Sequence, residues 1–326
     1  AQTGDSTYPP MPPDGQMGNG NGMPQPPPGG FGGGPGGPGG PGGPGSGSSS
    51  VETTGAYTLK SGSITKSGQT VSSTKSNQSA IKVCKNGSLS LSASTITKTG
   101  DNQSSNEDCD IYGLNAGVLA EEGGKIKLTN CKINTGAAGS NAVFATGKGS
   151  DVKLNNVTIK TSGQGSSRGL DVTLGGKITG KNLDITTQGE HCAAIASDRG
   201  GGIVTVDGGR MTTYGQGSPG IYSTANITVS NANMVAYNSE AAVIEGKNSI
   251  HLTNCNLTGK KQWGVMLYQS FSGDAEVGTS VFSMKGGSLT AEVGPVIFTT
   301  NTKVQVYLSG AKLSSKSGQF LLASAS

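Results

Sequence analysis

The chain has 326 residues, with only 5% aromatic and 13% charged side chains and a formal net charge of +4. Hydrophobic residues make up 32%, enough for a thin core but not for a thick globular one. So small a net charge over this length excludes the overall basic signature of a nucleic-acid binder, and apolar runs such as residues 264–268 are too short to cross a membrane.

The first 50 residues contain the run "MPQPPPGGFGGGPGGPGGPGGPGSGSSS", which has no apolar alternation and cannot bury a core. Proline favours polyproline II and glycine follows freely, so residues 1–50 are expected to form an extended Gly/Pro-rich leader. The chain opens with Ala-Gln-Thr-Gly rather than Met, as expected of a processed, secreted protein that works outside the cell or at its surface. Residues 51–79 are Ser/Thr-rich strand formers and are expected to supply an N-terminal strand or cap.

From residue 80 onward one phrase recurs. "IKLTNCKINTG" at 126–136, "VKLNNVTIKTSG" at 152–163 and "IHLTNCNLTG" at 250–259 share one spacing. Nine copies begin at Leu91, Leu128, Leu154, Ile178, Val206, Val229, Leu252, Met284 and Leu308, each with a second apolar residue five positions on. The third position holds Ala93, Asn130, Asn156, Gly180, Gly208, Asn231, Asn254, Gly286 and Gly310. Asn and Gly tolerate left-handed backbone best, so each copy reads as a strand, a one-residue bend and a second strand. Asn130, Asn156, Asn231 and Asn254 are expected to stack their amides in a ladder. Between copies lies another apolar segment, as in "NAVFA", "CAAIA", "AAVIE" and "GVMLY". Steps of 23 to 37 residues without helical periodicity predict an all-β fold, a right-handed parallel β-helix (β-solenoid) of roughly ten coils over residues 80–326.

The cysteines at 84, 109, 131, 192 and 255 form no CxxC pair, which argues against zinc. They are expected to be small buried fillers of the repeat. His191 and His251 are likewise expected to be members of side-chain stacks.

Several polar phrases are not demanded by the repeat. Asp198, Ser223, Glu245 and Gln269 are expected at corresponding places on four consecutive coils, with Arg199, Tyr222, Glu240, Lys247 and Tyr268 nearby. This stripe is the candidate binding site for a polysaccharide. The segment "YQSFSGDAE" at 268–276 is expected to project beside it as a loop, where function tends to sit on solenoids. Its Asp274 and Glu276 are the candidate ligands for Ca²⁺.

The last segment, "SGQFLLASAS", begins a tenth coil and stops before its bend. An open solenoid end exposes strand edges and apolar columns. Phe320, Leu321 and Leu322 at this end, and Tyr57 and Leu59 at the other, are the candidate contacts for head-to-tail assembly with copies of the same chain.

"YGLNAGVLA" at 112–120, "SDRGGG" at 197–202, "GSPGIYSTANITVSNA" at 217–232, "SEAAVIEGKNSI" at 239–250 and "YQSFSGDAE" follow one another in this order behind a Gly/Pro/Met-rich leader. Residues 55–326 thereby resemble secreted bacterial parallel β-helix proteins of the adhesin-like or carbohydrate-binding type. The resemblance implies a right-handed β-helix at the cell surface and no settled activity. Relatives usually continue past "LLASAS", so a closed end of the family kind is not expected here.

Catalysis is not expected. A hydrolase needs carboxylates paired across a groove, and a lyase needs calcium with a basic residue. Here the acids are scattered along the sequence, beside three arginines, two histidines and one tryptophan. The leading reading is an extracellular structural or adhesive solenoid that assembles head-to-tail into a filament. The alternatives are a monomeric cell-surface carbohydrate-binding adhesin and a polysaccharide lyase. No nucleic-acid partner is expected.

Overall fold

A computed structural model of the chain describes residues 51–324; the leader expected over 1–50 lies outside the described residues. The chain winds as an all-β parallel solenoid of about ten turns. One sheet stacks eleven strands: Thr54–Leu59, Gln78–Val83, Val118–Ala120, Val143–Thr146, Leu170–Thr173, Ile195–Ser197, Ile221–Ser223, Ala242–Glu245, Val265–Tyr268, Ile297–Thr300 and Leu321–Ser324. The other sheet is bent and contains the recurring phrase. Residues 51–79 supply strands, since Thr54–Leu59, Ser63–Ser67 and Thr70–Ser73 pair in parallel with the next coil.

The bend follows from the backbone each position can adopt. Ala93, Asn130, Asn156, Asn231 and Asn254 have φ of 47, 54, 52, 55 and 51°, and Gly208, Gly286 and Gly310 are also positive. The fourth copy departs from the expected register. Leu154 pairs with Gly180, and Ile159 with Ile185, so the copy starts two residues later than Ile178 and its bend is Asn182, with φ 53°. Gly180 occupies the inward position taken elsewhere by Leu128, Leu154 and Val206. A Cβ there would meet the Leu183 side chain at 2.5 Å, so Leu183 fills the space.

The amide ladder is shorter than expected. Asn156 Nδ2 donates to Asn130 Oδ1 at 2.7 Å, and Asn182 Nδ2 to Asn156 Oδ1 at 3.4 Å. Gly208 then breaks it. Asn231 turns to Asp207 instead, at 2.8 Å, and the exposed side chain of Asn254 serves only to permit the bend.

Inward positions alternate along each strand and build one continuous core, including Ile126, Leu128, Ile133, Val152, Ile159, Ile195, Ile227, Ile250 and Leu289. All five cysteines are free and buried, as fillers should be. Cys131 and Cys255 stand just after bends, and each thiol points at the carbonyl two residues back at 3.4 Å. His251 joins a stack through Ser283, 2.7 Å away. Burial pushes the His191 imidazole below its ordinary pKa.

The eleven-stranded sheet is unusual in being buried on its outer side as well. Leu119, Phe144, Asp171, Ala196, Tyr222, Val243, Met266 and Phe298 form one column in register, and all are buried. Two inserted segments bear on this outer face. One is a short helix, Asn106–Tyr112, not expected from the sequence; Ser105 caps its N-terminus by accepting from Asp108 N–H, and Gly113 ends it at φ 70°. The other is the loop at 269–278. They account for the two longest steps in the repeat.

Candidate functional site

The roofed outer face carries the polar groups that the stripe anticipated, but in a different arrangement. Glu245 pairs with Tyr268 and Ser223 with Ile244, so Asp198, Ser223, Glu245 and Gln269 do not share one column. Ser223 instead donates to the Ala225 and Ser249 carbonyls at 3.1 and 3.0 Å.

At the centre lies a charge cluster that no local motif announced. Arg168 is buried, and its Nη1 stands 2.9 Å from Asp110, 2.8 Å from Asp171 and 3.4 Å from Asp198. Asp110 comes from the helix, while Asp171 and Asp198 come from successive coils. One nitrogen with two hydrogens cannot serve three carboxylates equally. Burial disfavours their charged forms, raising Asp171 to about 7 and pushing Asp110 and Asp198 upward as well. These acids are closed off from solvent, so they lock the helix to the sheet rather than offering a hydrolytic pair.

A second network fixes the loop. Glu245 Oε1 accepts from Ser270 and, at 3.4 Å, from Ser272, while Oε2 accepts from Tyr222 and, at 3.2 Å, from Tyr268. The two phenol oxygens lie 2.8 Å apart, and burial raises both pKa values. Glu240 is also buried, and only its own backbone N–H and the Ser239 hydroxyl stand by its carboxylate. Burial raises its pKa, which favours a neutral acid there. Gln269 bonds back to the Ser270 and Ala275 carbonyls at 3.2 and 3.3 Å, closing the loop on itself.

Asp274 and Glu276, the candidate calcium ligands, are each turned to a basic side chain. Asp274 Oδ1 accepts from Arg199 Nε and Nη2 at 3.0 and 2.8 Å, and Glu276 is held by Lys247 at 3.0 Å. Each carboxylate already faces a cation. Arg199 also reaches Glu107 on the helix at 2.9 Å, and so ties the two roofing segments together.

Between the 200–202 turn and the loop opens a groove of mixed polarity, about 680 Å³, lined by Gly201, Thr224, Asn226, Lys247, Asn248, Ser249, Asp274, Glu276 and Val281 among others. Of the residues expected in and beside the stripe, Lys247, Asn248, Asp274 and Glu276 line it. Tyr222, Glu240, Glu245, Tyr268 and Gln269 are buried nearby, and Asp198 and Arg199 form the adjoining lock. Hydroxyls, amides, an ammonium and two carboxylates in this groove suit hydrogen bonding to a polyhydroxylated ligand.

No protein-family model matches the chain, and no curated protein sequence matches it. Fold and groove together define a parallel β-solenoid with a roofed sheet and a cleft of mixed polarity. Among solved structures it is similar to the crystal structure of endo-xylogalacturonan hydrolase from Aspergillus tubingensis, with 14% identity and a TM-score of 0.33 over 81% of this chain and 87% of that one. The likeness is distant and concerns fold alone.

Proposed function

We propose that this chain is an extracellular, non-enzymatic structural solenoid that stacks end to end with copies of itself. The observation that carries the reading is the state of the two outermost described coils. Inward residues are almost fully covered mid-solenoid, yet Tyr57, Leu59, Ile64 and Val71 at one end, and Val304, Val306, Leu308 and Leu313 at the other, are only partly buried. Phe320 and Leu321 are 49% and 51% exposed, and Leu322 packs outside on the Phe298 cluster.

The strands run parallel throughout, so a ladder can continue across a junction without reversal. Leu321–Ser324 would meet Thr54–Leu59; the straight sheet stacks eleven strands against ten layers in the bent sheet, so this junction leaves one layer of the bent sheet for a strand from outside the described residues to fill. Such a contact is heterologous and propagates. Exposed lysines stand at both ends, Lys60, Lys66 and Lys75 against Lys303, Lys312 and Lys316. Edge lysines oppose strand pairing, so stacking should strengthen as salt screens them. Negative-stain microscopy and sedimentation at rising ionic strength test this. Filaments that shorten in Leu321→Lys support the reading, whereas a monomer at every concentration and salt removes it.

The groove favours a second reading, a monomeric cell-surface adhesin for a polysaccharide. Glycan-array binding that is lost in Lys247→Ala, by a protein that stays monomeric, would select it.

A further inference from the structure

The outer side of the bent sheet carries an uneven distribution of charge. Three consecutive strands, Lys125–Thr135, Asp151–Thr161 and Gly176–Thr187, place Lys125, Lys127, Lys153, Lys177 and Lys181 on the arm before the bend, all exposed. Lys132 and Lys160 add to them beyond the bend. The acids on this face are Asp151, which sits between Lys125 and Lys177, Asp184, which is engaged by Arg210 at 2.6 Å, and at its border Asp207, which lies opposite Lys181 and accepts from Asn231 at 2.8 Å. Glu122 lies at the neighbouring turn.

The fold does not require lysine here. The matching positions one coil earlier are Ser88, Ser90 and Ser92. One coil later they are Ile203, Thr205 and Asp207, and then Asn226, Thr228 and Ser230. Lysine is also unfavourable for the sheet itself. Lys127 pairs directly with Lys153, and like charges opposite one another destabilise a ladder. Lys125 is tethered, through Nζ to the Gly149 carbonyl at 3.1 Å, while the other four have no carboxylate within salt-bridge distance. A cluster that costs stability, where Ser and Thr would serve, implies an anionic partner.

We infer that this face docks on an anionic phospholipid surface. The ammonium groups are spread in two dimensions, over three coils and three columns, on a sheet arm without groove walls. A plane of phosphates meets all of them at once, while a linear polymer would follow only one row. Lysine acts as a hydrated point charge, without the fork that gives arginine its directional pairing, and so suits attraction to a field of head groups. The face lies outside the groove and does not depend on stacking.

Co-flotation with vesicles tests the inference, because filaments alone do not float. The chain should float with phosphatidylglycerol/phosphatidylcholine vesicles, not with phosphatidylcholine alone, and should be released at high salt. Lys127→Ser/Lys153→Ser/Lys177→Ser/Lys181→Ser should weaken flotation by about tenfold or more, and Lys261→Ser, in the turn after Asn256–Gly259 and off this sheet arm, should not. The quadruple variant should melt no lower than the wild type. If it fails to fold, Lys127→Ser/Lys153→Ser gives the same comparison with a smaller loss. No flotation, flotation indifferent to lipid charge, or flotation unchanged in the serine variants overturns the inference. So does retention of soluble polyphosphate or DNA by a protein that ignores vesicles.

Discussion

Arg199 and Asp274 are 75 residues apart in sequence, yet two guanidinium nitrogens of the first converge on one carboxylate oxygen of the second. The Asp274 side chain is 3% exposed and that of Arg199 is 41% exposed, so the pair sits at the boundary between roof and solvent. Arg199→Met should leave the buried carboxylate without its cation. After discounting for the exposed half of the pair, the expected cost is about 1–2 kcal/mol. Faster proteolytic cleavage within 269–278, with the rest of the solenoid intact, is the signature to look for.

The Arg168 cluster sets a pH dependence. Asp171 titrates near 7 in the fold because burial disfavours its charge, against about 3.9 in an unfolded chain. The native state therefore holds more protons than the unfolded state between those values. Stability is full below about 4 and falls as pH rises toward 7; the upward shifts of Asp110 and Asp198 act in the same sense. Thermal melts should show a lower Tm at pH 8 than at pH 5, by the equivalent of on the order of 2 kcal/mol. Asp171→Asn should flatten that slope. An unchanged slope would mean that other groups set it.

Two bend positions should respond differently. Asn254→Gly should be nearly neutral, because Asn254 contributes only its φ of 51°, whereas Asn254→Leu should cost about 1–2 kcal/mol of left-handed strain. Asn156→Gly keeps the bend but removes the bonds to Asn130 and Asn182, for a loss of about 0.5–1.5 kcal/mol. Chemical denaturation of the three variants separates the two contributions.

Lys98 is buried, and its ammonium donates to the carbonyls of Lys75, Thr99 and Gly100. Lys98→Met keeps the aliphatic packing but strips three turn carbonyls of their donor. A destabilisation of about 2–4 kcal/mol is expected from the melting curve.

Chelation should leave Tm unchanged, since Asp274 and Glu276 are already neutralised by Arg199 and Lys247. A downward shift with chelator, abolished by Asp274→Ala, would restore a metal to this loop.

The fold was legible because each coil repeats its bend at a residue that tolerates positive φ. The bend register slipped where Gly180 removed the apolar marker and moved the bend to Asn182, and the amide ladder proved shorter because Gly208 interrupts it. The site was harder. Asp110 and Arg168 are 58 residues apart, and their contact depends on a seven-residue helix too short to leave a periodic trace. One signal was present: Asp171 interrupts an outward column otherwise filled by Leu119, Phe144, Ala196 and Tyr222. That column becomes visible only when the coils are aligned on their straight strands rather than on their bends. The loop that walls the groove was expected from the sequence, but the opposite wall at 200–202 was not, because no repeat defines the space between a turn and a loop.

The five unpaired thiols carry a last implication. With no covalent staple between turns, each coil is held only by the two beside it, and disassembly can proceed like a zipper from either tip. The middle, clamped by Arg168, Arg199 and Glu245, should resist longest. A protease working on the warmed protein would then leave a ladder of fragments that shortens one turn at a time and pauses at the clamped segment.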